Sequence, residues 1–265
     1  MIFLEKKGRF GNFLFQYFLA KFVQDLNPQK IIVFSKNENI YSYNSKKNID
    51  SLVDQYYSLP KFSKILNYIK NKFYQINDEN FQDINKEEIL SNKNIYIDGF
   101  FQNIDFIISN QKLLEKVLDR KKIIPKSQFS QSEMTIHLRH LHHEIGSLDT
   151  NPHYQIQPDI DFYLKIIKEK KPEKIKVISS NRDNKIYLKL KEIFNEKIYF
   201  DGTDDISDFF NLIYSDCIIL SVSTYSLWAA LLSQASEVYV PNIGILKTIL
   251  KEKQIFNKSK YKYIN

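Results

Sequence analysis

The feature that most constrains this chain is the regular alternation of short strand-like runs with helical patterns through its second half. Strand-like runs fall at Met134–Leu138, Ile175–Ser179, Lys197–Phe200, Cys217–Val222 and Glu237–Val240. Helical spacing predicts helices near Asp159–Lys170, Asn184–Phe194, Ile206–Ser215 and Tyr225–Ser233. Strands joined through single helices cross over right-handedly and run parallel, so this half predicts a parallel sheet. Ligands of such sheets are held beyond the carboxyl ends of the strands, where loops and helix N-termini meet.

The first half opens in the same way. Ile2-Phe3-Leu4 reads as a short buried strand and Gly8-Arg9-Phe10-Gly11-Asn12 as a tight loop. Phe15, Phe18, Leu19, Phe22, Val23 and Leu26 then recur at helical spacing until Asn27-Pro28 stops the helix. Ile31–Phe34 supplies the next strand and completes a βαβ unit. From about 35 to 94 the sequence turns rich in Asn and Lys, and one stripe stands out: Leu59, Phe62, Ile65, Leu66, Ile69 and Phe73. A stripe of this kind packs on its own domain. With Lys61, Lys64, Lys70 and Lys72 around it, an anionic membrane surface is the alternative. Ile95–Asp98 reads as a further strand leading into Gly99-Phe100-Phe101-Gln102, with helical segments to about Leu118. Periodicity vanishes over 120–132, which marks the domain crossing. The expected organisation is therefore α/β, with two Rossmann-like domains at residues 1–125 and 126–265.

Composition narrows the class. Hydrophobic residues make up 43% of the 265 and aromatics 14%, which excludes general disorder. Lys plus Arg number 38 against 31 Asp plus Glu, a net charge of +7. Only Arg9, Arg120, Arg139 and Arg182 are arginines, so most of that charge is solvated lysine background. Basic residues do not cluster with aromatics on one strand face, so no nucleic acid is expected as a partner. Each arginine, being scarce, marks a place where a planar fork for phosphate or carboxylate is worth seeking. Cys217 is the only cysteine, which excludes an intramolecular disulfide and suits a reducing compartment. Met1–Lys6 holds only a short apolar stretch before charge, and no run approaches about 18 apolar residues. The expectation is a cytoplasmic protein, with a peripheral position on the inner face of the membrane as the alternative.

Four strand ends hold residues suited to an anion. Gly8–Asn12 carries two glycines that permit close backbone approach, Arg9, and the N–H groups of the helix that follows. An ordinary strand-to-helix turn is the plainer reading. At His137–Glu144, His137 and Arg139 point to the same side of a strand, where an imidazole and a guanidinium would grip one ligand. His140, His142, His143 and Glu144 are zinc-ligand types. Their spacing matches no helix-based pair and no Cys lies near, so no metal is expected. Ser179-Ser180-Asn181-Arg182-Asp183 offers N-caps, with Ser179 and Asn181 as candidate contacts to a base or ribose. Ser223, Thr224 and Ser226, between an apolar strand and a helix with the only Trp, suit a phosphate cradle without glycine. No Gly-x-Gly-x-x-Gly or Walker loop is present, so ordinary dinucleotide and P-loop readings are weak.

In order, these stretches resemble the bacterial α-1,2-fucosyltransferases of glycosyltransferase family eleven. The family's opening Gly-x-(Leu/Phe)-Gly-Asn-x-x-Phe-Gln-Tyr is matched by Gly8 through Tyr17, and its middle Gly-(Tyr/Phe)-(Phe/Trp)-Gln by Gly99 through Gln102. Its late Asp, before a Ser-(Ser/Thr)-Phe-Ser-x-Trp-(Gly/Ala)-Ala run, is matched by Asp208 and Ser223 through Ala230. The family's His-x-Arg-Arg-x-Asp-Tyr is met in part: His137 and Arg139 stand, while His140 and His142 replace the second Arg and the Asp.

The resemblance implies a GT-B-type enzyme, metal-independent and without a cofactor, that inverts configuration. It would move L-fucose from GDP-fucose onto a galactoside hydroxyl, in α-1,2 linkage, on a cell-surface oligosaccharide or glycolipid. The C-terminal half would bind the donor and the N-terminal half the acceptor. Arg139, His137 and His140 are the implied catalytic residues, and Gly8, Arg9, Gly11, Asn12, Ser179, Asn181, Asp208, Ser223, Thr224 and Ser226 the binding ones. His140, His142 and Glu144 are candidates for the base by location. A different nucleotide sugar, a non-catalytic nucleotide- or glycan-binding protein, and a metal-dependent hydrolase built on the histidines stay open as alternatives.

Overall fold

The computed structural model describes residues 1–35, 57–59, 71–117, 133–139, 156–250 and 260–264. Two compact units divide the chain, one drawn mainly from residues before 123 and the other mainly from 123 onward.

The first unit holds β1 (Ile2–Leu4), β2 (Ile32–Ser35), β3 (Tyr57–Leu59), β4 (Tyr74–Asn77) and β5 (Ile95–Asp98). They pair in the order β3-β2-β1-β5-β4, parallel throughout. Ile2, Phe3 and Leu4 are all fully buried, as expected for a central parallel strand covered on both faces. Helix α1 (Phe10–Leu26) follows β1 and buries Phe13, Phe18 and Val23 among others. Two short helices, α2 (Lys86–Ser91) and α3 (Ile104–Ser109), flank β5 in sequence.

The second unit holds β6 (Glu133–His137), β7 (Lys174–Ile178), β8 (Ile198–Phe200), β9 (Cys217–Ile219), β10 (Glu237–Pro241) and β11 (Tyr261–Ile264). Their order is β11-β10-β9-β6-β7-β8, again all parallel. The helices are α4 (Ile160–Lys170), α5 (Lys185–Phe194), α6 (Asp205–Ile213), α7 (Thr224–Leu232) and α8 (Gly244–Leu250). Asp159, Asn184, Asp204 and Ser223 cap α4 to α7, each accepting a first-turn N–H. Met134, Ile136, Tyr163, Ile166, Val177 and Leu190 sit in one core cluster of this unit.

The order of the second sheet places the site. In each sheet the first strand is internal; the chain leaves it to one side and later returns to the other. Loops that follow β6 and β9 therefore part in opposite directions and open a crevice between them, whereas in the first sheet the segment after β5 returns to α1, where Phe106 packs on Phe18 and Phe22.

The structure departs from the sequence reading in places. The strand expected over Cys217–Val222 stops at Ile219: Leu220 still donates to the Tyr239 carbonyl (2.9 Å), but the Ser223 N–H turns back to the Ser221 carbonyl (2.8 Å). Leu59 lies in β3 rather than on a helix, Phe73 packs against the core of the first unit, and the stripe residues between them lie outside the described residues. Strands β3, β4 and β11 carry no apolar run; of β4 only Ile76 is buried.

The two faces of α5 give a direct check on this packing. Leu190 is fully buried and Leu188 is 51% exposed. Leu190→Ala should cost about 2–5 kcal/mol in urea unfolding, while Leu188→Ala should stay within about 0.5 kcal/mol of the parent. Equal losses would mean that the helix is rotated from the position described.

Candidate functional site

Past β1, Gly8 takes φ +67°, and a Cβ there would come within 2.5 Å of the Asn12 side-chain nitrogen. Buried Gln16 closes the loop by accepting from the Lys7 N–H (3.1 Å) and donating to the Lys7 carbonyl (3.0 Å). Arg9 is exposed at the start of α1, where no side chain caps the helix, and Gly11 is buried in its first turn. Gln102 donates to Asn12 Oδ1 (2.9 Å), so the two N-terminal motifs, 90 residues apart in the chain, are joined. Beside them Lys7 pairs with Asp98, Tyr96 donates to Glu5, and Asp78 accepts from the N–H groups of Phe100 and Phe101.

At the switch point between β6 and β9, His137 ends β6 and Arg139 follows two residues on, with Leu138 buried between them. His137 Nδ1 and Ser221 Oγ share a hydrogen bond of 2.6 Å across to the loop after β9. Arg139 Nη1 donates to the Val222 carbonyl (3.0 Å), and Asn184 donates to the Arg139 carbonyl (3.3 Å). Ser223 caps α7 by accepting from Tyr225 N–H (3.1 Å), and Thr224 is the first residue of the helix. Ser226 is fully buried, and its hydroxyl bonds the carbonyls of Ser221 and Ser223 (3.1 Å each), closing the turn from inside. The Tyr225 ring lies 5.5 Å from that of His137, and its hydroxyl donates to the Asp205 carbonyl.

The neighbouring loops hold the remaining expected residues. Ser179, just past β7, is buried, with no hydrogen-bond partner for its hydroxyl among the described residues. Asn181 accepts from the Asp183 N–H (2.9 Å) within its own turn. A Cβ on Gly202 would lie 2.1 Å from the Ser179 carbonyl, so the loops after β7 and β8 touch there. Asp208, in the first turn of α6, accepts from Thr203 N–H (2.9 Å) and hydroxyl (3.3 Å). His140, His142, His143 and Glu144 lie outside the described residues. Among the described residues no group of His, Cys, Asp and Glu is arranged to hold a metal, and no helix is long and apolar enough to cross a membrane.

Sequence reasoning missed Asn184, which reads only as a cap of α5, and Asp78, which stands in a stretch without periodicity. Ser221 falls in the sequence only within the strand expected over Cys217–Val222, with nothing to mark it as the partner of His137.

Electrostatics separates the groups. Burial, and then the Arg139 guanidinium, hold His137 down to about 3, so its imidazole is neutral at physiological pH. Arg139 thus stands as a cation close to the N-terminal end of α7, and the two together suit a phosphate. Asp208 is pushed up to about 7, mainly by burial; the Thr203 bonds oppose this, and Asp205 and Asp204 add to it.

No protein-family profile matches this chain, and no curated protein is similar to it. Solved structures are. A mutant form of Arabidopsis thaliana FUT1 in complex with GDP matches with TM-score 0.53 and 10% identity, covering 90% of this chain and 69% of that one. ADP-heptose LPS heptosyltransferase II of E. coli matches with TM-score 0.47 and 12% identity, over 99% and 89% of the two chains. POFUT1 in complex with GDP-fucose matches with TM-score 0.45 and 10% identity, over 88% and 95%. The fold is α/β of the GT-B type, built from two Rossmann-like units with parallel sheets.

Asp208 makes stability depend on pH. Its folded pKa, about 7, stands above its ordinary 3.8, so the folded state holds a proton that the unfolded chain releases. Stability should fall as pH rises from about 4 to about 7, by up to about 4 kcal/mol. Asp208→Asn should flatten that slope in urea titrations at pH 4, 5.5 and 7.5. Parallel curves for parent and variant would show that another group is responsible.

Proposed function

We propose that this chain is a nucleotide-sugar-dependent glycosyltransferase whose donor diphosphate binds at the β6/β9 switch point. The observation that carries the reading is the pairing there of Arg139, anchored to Val222, with the start of α7 capped by Ser223. We read the donor as GDP-fucose and the reaction as inverting transfer to a galactoside hydroxyl in α-1,2 linkage. The order of the sequence motifs supports this choice, and the GDP held by FUT1 on the same fold is in keeping with it. The N-terminal unit, with its Gly8–Asn12 loop, would serve the acceptor.

In this reading the acceptor oxygen attacks the anomeric carbon opposite the diphosphate. The bond from that carbon to the diphosphate breaks, and the electron pair leaves with GDP. The growing negative charge is stabilised where it develops, by Arg139 and the N–H groups at the α7 N-terminus. His137, being neutral, orients rather than neutralises: its bond to Ser221 ties the loop after β6 to that after β9. Ser179, Asn181 and Asp208 would lie toward the nucleoside. His140 is retained as the third catalytic candidate. The acceptor proton passes to a base or to solvent. The positive potential required comes from the protein, so the reading calls for no metal or cofactor.

A second reading, nucleotide binding without turnover, is motivated by His140 and His142 standing where the family has Arg and Asp. Calorimetry with GDP, followed by transfer assays with GDP-fucose and lactose, separates the two. The proposed enzyme should bind GDP and form a fucosylated product. Arg139→Ala should weaken GDP about 10- to 100-fold, the loss expected for a charge-assisted phosphate contact. Binding without transfer from any nucleotide sugar would favour the second reading, and no binding of GDP, UDP or CDP would remove both.

A further inference from the structure

The turn Gly99–Gln102, just past β5, is built in an unusual way. Asp78 accepts from two successive N–H groups, Phe100 (2.8 Å) and Phe101 (2.7 Å). Phe101 takes φ +51°, a left-handed conformation that a bulky aromatic residue rarely adopts. A Cβ on Gly99 would come within 2.8 Å of the Asp78 carboxyl carbon, so only glycine lets the carboxylate approach so closely. The consequence is a split between adjacent aromatics. Phe101 is buried against Phe81, with ring centroids 5.3 Å apart, and Phe100 is left 40% exposed. Ile31 and Leu90 of the same unit are also exposed, but Phe100 is the one exposed phenylalanine among the described residues. Strained backbone that holds an apolar side chain out in water is a feature to explain by function rather than by packing.

We infer that Phe100 is a stacking platform for an uncharged pyranoside ring, the acceptor sugar of the proposed transfer. The inference rests on the glycosyltransferase reading and adds to it the class of acceptor and the residue that selects it. An aromatic face takes the C–H face of a sugar, and side-chain amides suit its hydroxyls. Two residues beyond Phe100, Gln102 and Asn12 form such a pair of amides. Two charged groups beside the turn are already engaged within the protein. The Asp78 carboxylate is engaged with backbone N–H groups, and Lys7 is paired with Asp98.

The test uses the full chain, with methyl β-galactoside, methyl α-glucoside, methyl α-mannoside and lactose as probes. Saturation-transfer NMR and calorimetry are run with and without GDP. At least one glycoside should bind. Phe100→Ala should weaken it about tenfold or more, and Phe100→Trp should hold it within about threefold of the parent, as stacking requires. Asp78→Asn, which loosens the turn without touching the ring, should also weaken the glycoside. GDP affinity and thermal stability should stay at parent values in the Phe100 variants.

Glycoside binding unchanged in Phe100→Ala would overturn the inference, as would a parent protein that binds GDP and none of the glycosides. The latter result would leave the donor reading standing. Loss of the donor reading alone would appear as Phe100-dependent glycoside binding with no nucleotide bound. A change of solution mass in Phe100→Ala, with glycoside affinity intact, would assign the ring to protein contact and also overturn it.

Discussion

Everything functional in this molecule hangs on the parallel hydrogen-bond ladder of two central strands. β1 is held between β2 and β5, and β6 between β7 and β9. Parallel pairing forces each connection to cross a face of the sheet, so a chain that starts in the middle must leave and return on opposite sides. The crevice between β6 and β9 is therefore a product of topology before any side chain is chosen, and its polar walls are His137–Arg139 and Ser221–Ser226. In the other unit, taken by itself, the polar residues past β1 and β5 are Gly8–Asn12 and Gly99–Gln102.

Those residues divide into groups that shape the crevice and groups that are presented in it. Gln16, Ser226 and Asn184 bond backbone carbonyls or N–H groups and fix the loops. Ser226 shows how a hydroxyl in a motif can be essential to a turn while being buried within it. Arg139 does both: one nitrogen ties down the loop after β9, and the guanidinium also helps keep His137 uncharged. A neutral imidazole beside a permanent cation leaves the positive charge on a group that cannot lose it at any pH the protein meets. The binding field of this crevice is therefore insensitive to the titration of its own histidine.

Much of this was legible in the sequence because the central elements carry strong periodic signals. The apolar runs of β1, β5, β9 and β10, and the helices between the strands, stand out because burial on both faces favours continuous apolar sequence, while β6 and β7 alternate and bury Thr135 and Lys176 among their apolar residues. Edge strands are under no such demand. β4 reads Tyr-Gln-Ile-Asn and β11 reads Tyr-Lys-Tyr-Ile, patterns that polar loop sequence also shows. Some of the residues singled out at strand ends are brought into contact by the fold, His137 with Ser221 and Asn12 with Gln102. The pairings across 84 residues from His137 to Ser221, and 22 from Asp78 to Phe100, are set by tertiary structure and leave no local trace.

The lysines show why net charge was a poor guide to partners. Several of them are structural donors at the carbonyl ends of helices. Lys30 reaches the Ile89 and Asn92 carbonyls at the end of α2, and Lys191 those of Asn195 and Ile198 past α5. Lys260, on the approach to β11, donates to the Ser233 carbonyl (2.8 Å) beyond α7, and burial holds it down to about 8. A cation at a helix C-terminus satisfies carbonyls that have no partner within the helix and opposes its dipole. In α7 the same dipole presents its positive end beside Arg139. Lysine here is a construction material. The arginines are placed differently: Arg9 begins α1 just past β1, and Arg139 follows β6 with its guanidinium anchored to the Val222 carbonyl.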